Sequence, residues 1–375
     1  MTGERRERVL IAGDGIAGLE SVLALQALAP GRFDITMLTP ERHFIYRPIA
    51  VRAPFPAVPP ARVELAAVAR DREFSLVRDV LERIDPAAHE VTTQDGQRIA
   101  YDTVILAIGG RAVAAVKGAI PFRGARDAAA VTAALGALGD GPVRVAFIAR
   151  SIAMWTAPIY ELALTTALWA HDRGSAIEVV VVTAEARPLE VFGRDASDRV
   201  ADLLRFAGVG LRSDTSAEKV AGGCLHTTTG VPLPVDLAIA LPHLTGRAVQ
   251  GLPRDTQEFI PVEDTGRVRG VADVYAVGDT TDRPWKQDSV AAQQADTAAA
   301  AIVGGSDPAP PYTPVLRAEL RSRRTPLKLR RPPGANGAET FAGRHLASYL
   351  GTRGELQNTT GVRGNPVTPA GLSRC

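Results

Sequence analysis

Continuous apolar runs alternate with helical patterns along most of the chain, an arrangement typical of parallel sheets covered by helices. The run VLIA at residues 9–12 leads into a glycine-containing turn and then a helix with Leu19, Val22 and Leu23 on one face. Further strands are predicted at residues 34–38, 74–85, 89–93, 101–110, 143–148, 177–183, 235–241 and 271–279, and further helices at residues 158–171, 196–207, 289–302 and 341–350. We therefore expect an α/β fold with two βαβ units.

The turn after the first strand has the sequence GDGIAG, which predicts a phosphate-binding loop. Gly13 permits a tight turn, Gly15 lets the backbone approach a pyrophosphate, and Gly18 lets the helix pack close to the strand. The first helical turn, with Ile16 and Ala17, would direct its N–H groups and the positive end of the helix dipole at the anion. The sequence therefore predicts a nucleotide site here.

The second strand ends at Thr39-Pro40-Glu41, where a dinucleotide fold carries an acidic residue for the ribose. Either Thr39 or Glu41 could take that role, and Glu41 also fits an exposed carboxylate in a turn. The proline-rich segment that follows stiffens a loop in which Arg47 could reach a phosphate or a ring edge. These residues are candidates for the same ligand.

Two later strands end in a way that suits a bound cofactor. The stretch YDTVILAIGG closes on Gly109 and Gly110, which allows the backbone to pass near phosphates. The stretch VADVYAVGD ends at Asp279, at the carboxyl edge where ligands bind in open α/β sheets. Asp279 fits a hydrogen bond to a sugar-alcohol hydroxyl, an N-cap for the next helix, or both.

The turn of the second βαβ unit has the sequence ARSIAMW and contains no glycine. Side chains would therefore meet a pyrophosphate at the positions where a nucleotide fold keeps glycine. We do not expect a dinucleotide site in this unit.

Charge argues against a nucleic-acid partner, because the formal net charge of the 375-residue chain is +2 and its lysines and arginines are spread out. The basic stretch at residues 317–331 is expected to be a solvated helix and turn, with contact to an anionic membrane as the alternative. The charged N-terminus has no signal segment, so a cytoplasmic location is expected.

Only two cysteines occur, Cys224 and Cys375, with no CxxC pair and no Cys/His zinc pattern. A redox disulfide would need both thiols brought together across the fold. We expect neither a metal site nor a redox disulfide.

Three stretches together carry a family resemblance: VLIAGDGIAGLES, YDTVILAIGG and VYAVGDTTDRPWKQDSVAAQQADTAA. They resemble the FAD-dependent pyridine nucleotide-disulfide oxidoreductase-like flavoproteins of the sulfide:quinone oxidoreductase and type II NADH dehydrogenase group. The segments AMWTAPIYELAL and AGRHLASYL are similar to an actinobacterial-type subgroup. The resemblance implies an α/β fold with two interleaved Rossmann-like domains, parallel sheets and non-covalent FAD.

The resemblance also implies roles for individual residues. Gly13, Gly15 and Gly18 would line the FAD pyrophosphate, and Val80 would meet the adenine through its backbone. Asp279 would bind the ribityl or phosphate part. Ala107, Ile108 and Gly109 would flank the cofactor. Lys286 and Gln287 would lie near its isoalloxazine ring. A plain surface lysine is the alternative for Lys286, whose cation would otherwise favour an anionic reduced flavin.

Several departures from the family bear on the reaction. Neither cysteine lies in a segment that matches the redox pair of the sulfide-oxidising enzymes, so sulfide is a poor substrate guess. The second glycine motif of the NADH dehydrogenases is missing. Gln293 matches one glutamine of their quinone signature, whereas Ser289 replaces the other.

The resulting functional prediction is an FAD-dependent oxidoreductase that passes electrons from a small donor to a quinone or another acceptor. The alternative is a flavin-binding sensor or partner-docking protein with little catalysis. Trp155 and Tyr160 are weak candidates for the substrate side, with core packing as the alternative.

The predicted FAD domain is residues 1–112 and 250–315. The second dinucleotide-type domain, with a degenerate glycine loop, is 113–249, and the C-terminal segment, expected to be partly disordered, is 316–375. A homodimer is a candidate assembly, and at most weak peripheral membrane contact is expected.

Overall fold

The computed structural model describes residues 5–45, 62–139, 141–150, 155–305, 313–320, 326–331 and 343–352, without the side chains of residues 125 and 126. Arg47 and Cys375 lie outside the described residues. The helices are α1 (Ile16–Leu28), α2 (Leu65–Asp71), α3 (Ala125–Gly136), α4 (Ala157–Asp172), α5 (Arg194–Phe206), α6 (Asp288–Gly304) and α7 (Arg344–Thr352).

The strands of the described residues are short, with two to seven residues each. In chain order they are β1 (Glu7–Ala12), β2 (Phe33–Leu38), β3 (His43–Ile45), β4 (Arg62–Glu64), β5 (Ser75–Val77), β6 (Leu81–Asp85), β7 (Glu90–Thr93), β8 (Arg98–Ala100), β9 (Thr103–Leu106), β10 (Arg111–Val113), β11 (Ile120–Pro121), β12 (Val143–Ala149), β13 (Ile177–Thr183), β14 (Gly210–Arg212), β15 (Ala217–Ala221), β16 (Cys224–Thr227), β17 (Leu233–Pro234), β18 (Leu237–Ala240), β19 (His243–Thr245), β20 (Val274–Ala276), β21 (Leu316–Leu320) and β22 (Leu327–Arg331).

The first parallel sheet has the strand order β20-β9-β1-β2-β5. Its strands are apolar on both faces because both faces are covered. One face packs against α1, α6 and α7. The other packs against the antiparallel strands β6–β8 and the chain near Ile260 and Val268. We call this sheet with its covering elements the first unit.

The second parallel sheet has the strand order β11-β18-β12-β13-β14. One face packs against α3, α4 and α5, and the other against the antiparallel strands β15–β17. We call it the second unit. The predicted α/β class with two parallel sheets is therefore confirmed.

The described parts of the basic stretch at residues 317–331 lie in two paired strands, β21 and β22, which we call the hairpin, so the expected helix was wrong. β21 pairs antiparallel with β22, and alternate residues Leu316, Ala318 and Leu320 are buried in the core of the second unit. The period of the apolar positions is two, which suits a strand with one buried face. The many arginines drew attention to charge and hid this alternation.

The antiparallel pair β10–β19 is separate from both large sheets. It joins the segment that follows β9 of the first unit to the segment that follows β18 of the second unit.

The helix predicted at residues 158–171 is present as α4. Within the described residues, no helix has the length and apolar character needed to cross a membrane.

Candidate functional site

The glycine turn after β1 is fixed by close backbone contacts. Gly13 has φ +115°, and a Cβ placed on it would lie 2.2 Å from the carbonyl oxygen of Ala107. A Cβ on Gly18 would lie 2.1 Å from the carbonyl oxygen of Gly13. A Cβ on Gly15 would meet nothing within 4 Å. Gly13 and Gly18 therefore hold the turn in place, and Gly15 exposes bare backbone to open space.

Two helix N-termini converge beside this turn. Neither α1, whose N-cap is Gly15, nor α6, whose N-cap is Gln287, has a side-chain cap. Gly278 lies between them, since its Cβ would be 3.3 Å from that of Ala17 and 3.4 Å from that of Ala291. Uncapped N-termini carry partial positive charge and unsatisfied N–H groups, so this point favours an anion.

The strand ends that border this point are held together by backbone hydrogen bonds. The Ala107 N–H donates to the Ala12 carbonyl at 2.7 Å, and the Val277 N–H donates to the Leu106 carbonyl at 2.9 Å. A Cβ on Gly110 would lie 3.6 Å from the carbonyl oxygen of Asp279. The predicted segments 13–18, 107–109 and 279, including Ile108 and Gly109, therefore meet at one carboxyl edge of the first sheet.

This edge fits the diphosphate of FAD. The backbone is bare at Gly15, two helix dipoles point toward the same place, and the half-buried residue Asp279 lies at the same edge. Backbone N–H groups at a helix N-terminus suit a pyrophosphate, and a carboxylate suits a ribityl hydroxyl.

The end of β2 is organised by the hydroxyl group of Thr39. The Thr39 side chain is 1% exposed, donates to Asp14 Oδ1 at 2.8 Å and accepts the Glu41 N–H at 3.1 Å. Glu41 itself is exposed. The hydroxyl is thus used inside the protein, and the carboxylates near the ribose position are Asp14 and Glu41. Sequence reasoning missed Asp14, although it lies between two of the motif glycines.

Val80 is exposed, and its backbone groups already have partners. Its N–H donates to Asp79 Oδ1 at 2.7 Å, and its carbonyl accepts the Gln94 N–H at 2.9 Å. The predicted contact of Val80 with adenine would therefore have to use the second lone pair of its carbonyl or its side chain.

Lys286 lies against the same edge as Asp279. Its Nζ donates to the carbonyl oxygens of Thr281 and, at 3.5 Å, of Asp279, and lies 3.9 Å from the centroid of the Phe259 ring. Burial lowers the pKa of Lys286 to about 8, although nearby aspartates, Asp279 foremost, oppose this shift. The alternative of a plain surface lysine does not fit this environment.

The glutamines of α6 hold the β-hairpin. Gln287 is 4% exposed and donates to the Arg317 carbonyl, and the Gln293 side chain donates to the Val315 carbonyl at 3.0 Å and accepts the Val315 N–H at 2.8 Å. Both amide groups are engaged by the backbone of β21 and its lead-in. Gln293, which matches a quinone-site signature, therefore has a structural role here.

A buried acid, Glu185, occupies the carboxyl edge of the second parallel sheet, where a ligand would otherwise bind. Sequence reasoning missed this residue. Glu185, two residues after β13, is 4% exposed and accepts hydrogen bonds from Tyr160 at 2.5 Å, Thr156 at 2.9 Å and Thr183 at 3.2 Å. Burial raises the pKa of Glu185, and the hydroxyl donors oppose that shift. The repeat of Thr39-x-Glu41 as Thr183-x-Glu185 is the signal that could have found it.

The two weak catalytic candidates of the second unit pack inside it. Tyr160 has no exposed surface, and its hydroxyl is bound by Glu185. The Trp155 ring makes an edge contact with Phe192, with centroids 5.8 Å apart. The geometry favours the core-packing alternative for both residues.

The first unit buries a different acid under the C-terminal helix. Glu20, with no exposed surface, accepts the N–H groups of His345 at 2.9 Å and Leu346 at 2.7 Å, which caps α7. Burial and the adjacent Asp296 raise the pKa of Glu20 to about 8. Glu20, Asp296 and His345 are close enough to share a metal ion, but two backbone donors already occupy the Glu20 oxygens.

Comparisons with known proteins agree with this geometry. A sulfide-quinone reductase of Aquifex aeolicus is 28% identical over 119 residues, which are 30% of this chain and 26% of that protein. The chain thus spans about a quarter of the curated relative that it matches.

Solved structures share the fold at low identity. The sulfide:quinone oxidoreductase of Aquifex aeolicus has a TM-score of 0.75 at 19% identity, covering 94% of this chain and 90% of that one. A ferredoxin reductase from Rhodopseudomonas palustris has a TM-score of 0.67 at 20% identity, covering 84% and 80%. NDH2 from Plasmodium falciparum has a TM-score of 0.61 at 14% identity, covering 76% and 66%.

The profile of the family described as pyridine nucleotide-disulphide oxidoreductase matches residues 7–299, which is more than half of the chain. The predicted resemblance and the predicted cofactor are confirmed at this level. The chain belongs to the pyridine nucleotide-disulphide oxidoreductase family of FAD-dependent flavoproteins.

Proposed function

We propose that this protein is an FAD-dependent oxidoreductase that passes electrons from a small donor to a quinone or another small acceptor. The observation that carries the proposal is the convergence of two uncapped helix N-termini on Gly278, beside the bare backbone of Gly15. When bound, FAD supplies the redox chemistry, since it accepts and returns an electron pair. The chain contributes position and electrostatics.

Individual residues would then have defined tasks. The backbone at residues 15–18 would bind the diphosphate, and Asp279 would orient the ribityl chain. Lys286, held at this edge by the carbonyls of Asp279 and Thr281, would carry positive charge at neutral pH because its pKa is about 8. The positive charge of Lys286 would stabilise negative charge on the bound cofactor. The Nζ of Lys286 could also donate a proton to it.

The proposal includes the expected organisation of the chain. Residues 1–112 and 250–315 would form the FAD domain, residues 113–249 the second domain, and residues 316–375 the C-terminal segment. We propose a cytoplasmic protein that acts on small molecules, with a homodimer as its candidate assembly.

The test is anaerobic reduction of the purified, FAD-loaded protein by separate donors: NADH, NADPH, sulfide, a quinol and, as a chemical control, dithionite. The visible flavin band reports reduction, and a soluble quinone analogue then reports reoxidation. We expect one enzymatic donor to bleach the flavin, followed by steady turnover with an acceptor. Protein that is colourless and takes up no FAD would refute the proposal.

A flavin-binding sensor is the second candidate function, and the buried Glu185 favours it. That acid closes the edge of the second unit, where a nicotinamide donor would otherwise bind. A sensor would bind FAD and be reduced by dithionite, but no donor of the panel would support turnover. The same experiment therefore separates the two candidates.

A further inference from the structure

The hairpin β21–β22 places two arginines directly opposite each other. Arg317 pairs with Arg330 in the antiparallel register, so both side chains lie on the same face of the hairpin. Directly opposed residues have Cβ atoms about 5 Å apart, and like charges in this position repel. A fold stabilised only by internal contacts would gain from placing opposite charges here.

The two arginines cannot move apart by a shift of the hairpin. The opposite face buries Leu316, Ala318, Leu320, Leu327 and Leu329 in the core of the second unit, and a slip of one residue would expose all of them. Gln287 binds the Arg317 carbonyl, which fixes the edge of β21 on α6. The register therefore fixes the two arginines opposite each other on one face of the hairpin.

Arg330 also buries donors that have no partner. Its Nε and Nη2 atoms are buried without a hydrogen bond. Among the residues that the structure describes, no carboxylate forms an ion pair with Arg317 or Arg330. Glu319 pairs across the hairpin with Lys328, which offers it a cation of its own. An unsatisfied buried donor costs about 1–3 kcal/mol, and more when it is charged.

We propose that Arg317 and Arg330 together bind an oxyanion, specifically a phosphate group. A guanidinium group donates N–H groups that suit phosphate oxygens, and a dianion held between the two arginines would cancel the repulsion between them. Burial and the Arg330 charge lower the pKa of Arg317, a shift that a bound anion would reverse. The phosphate could belong to a free small molecule or to a lipid headgroup, since both present the same oxygens.

The first test is thermal unfolding of the FAD-loaded protein in sodium phosphate and in sodium chloride of equal ionic strength. We expect phosphate to raise the Tm by about 2–4 °C. In R330Q the Tm without phosphate should rise, because the repulsion is gone, and the phosphate-dependent shift should disappear. K328Q removes one positive charge from an exposed position of the same hairpin and should keep the full phosphate response.

Calorimetric titration with inorganic phosphate should show a Kd at least about tenfold weaker in R330Q and in R317Q than in K328Q. Co-sedimentation with vesicles of phosphatidylcholine and phosphatidylglycerol separates the two sources. Sedimentation that R330Q abolishes identifies a lipid headgroup, and a phosphate response without sedimentation identifies a free ligand. A phosphate shift that is absent, or equal in wild type and R330Q, would overturn the proposal.

Discussion

The two units carry the same short motif at the same place and use it in opposite ways. Thr39 follows β2 directly and Thr183 is the last residue of β13, and each hydroxyl accepts the N–H of an acid two residues later, at 3.1 Å in both units. In the first unit that acid, Glu41, is exposed beside a bare glycine turn. In the second, Glu185 is buried under three hydroxyl groups.

The helix that faces each motif decides the difference. The N-cap of α1 is Gly15, which has no side chain and faces open space, so the edge remains open to a ligand there. Thr156 precedes α4 and Tyr160 lies in its first turn, and the hydroxyls of both donate to the buried Glu185. A local motif at a strand end therefore does not by itself make a nucleotide site. The residues packed above it decide whether a ligand or the protein satisfies the acid.

The largest expected effect concerns the open edge. Gly15→Val should leave the fold intact, because a Cβ at Gly15 meets nothing within 4 Å and its φ of −69° is open to other residues, but should weaken FAD binding by about two orders of magnitude or more. The side chain would occupy the place of the pyrophosphate. Fluorescence titration of apoprotein with FAD measures the affinity, and circular dichroism measures the fold.

Gly13→Ala is the matched comparison in the same turn. Its Cβ would collide with the Ala107 carbonyl, and its φ of +115° is strained for alanine, so it should lose stability as well as FAD. Equal FAD affinity of Gly15→Val and wild type would show that the open edge is not the cofactor site.

The next effect concerns the closed edge. NADH and NADPH should each reduce the flavin at less than about 1% of the rate of the best donor, a barrier difference of about 2.7 kcal/mol. The reason is that Glu185 is buried and already accepts three hydroxyl donors, so it is not accessible to a ribose diol. Stopped-flow absorbance measures the rates. Calorimetry with the apoprotein measures binding independently. A micromolar Kd for NADH or NADPH would contradict the inference that the edge of the second unit is closed to nicotinamide nucleotides.

A smaller effect is expected on stability. Tyr160→Phe removes a hydroxyl donor from a buried carboxyl group and should lower the free energy of unfolding by about 1–3 kcal/mol. Glu41→Gln in the first unit should change it by less than about 0.5 kcal/mol because Glu41 is exposed. Urea denaturation measures both. Similar losses for the two variants would mean that the two acids are not in different environments.

The last prediction concerns the pH dependence that comes from the buried acid of the first unit. The pKa of Glu20 is raised from 4.5 to about 8, so the folded protein keeps a proton that the unfolded chain releases. Its contribution to stability is full below about pH 4.5 and is lost as the pH rises toward 8, with a slope of at most about 1.4 kcal/mol per pH unit.

Glu20→Gln should flatten the dependence of the unfolding free energy on pH between 5 and 8, whereas Glu41→Gln should leave it unchanged. Denaturant titrations at several pH values measure this dependence. Stability that rises over this range in wild type would contradict the assignment of the proton to Glu20.

The amino-acid sequence by itself determined the parallel α/β architecture and the glycine turn, because both depend on local properties: apolar runs fit buried strands, and only glycine tolerates the approaches at Gly13 and Gly18. It also placed Asp279 at the edge of the sheet. The basic hairpin was misassigned, since charge along the stretch masked an apolar period of two.

Only the tertiary structure decided the state of the acids and of the polar side chains near the edges. Glu20, Glu185 and Gln293 are each satisfied by groups that are distant in sequence, on α7, on α4 and before β21. Whether a polar side chain serves a ligand or the fold depends on which donors and acceptors packing brings within about 3 Å of it. That distance is a property of the folded chain, and no pattern along the sequence contains it.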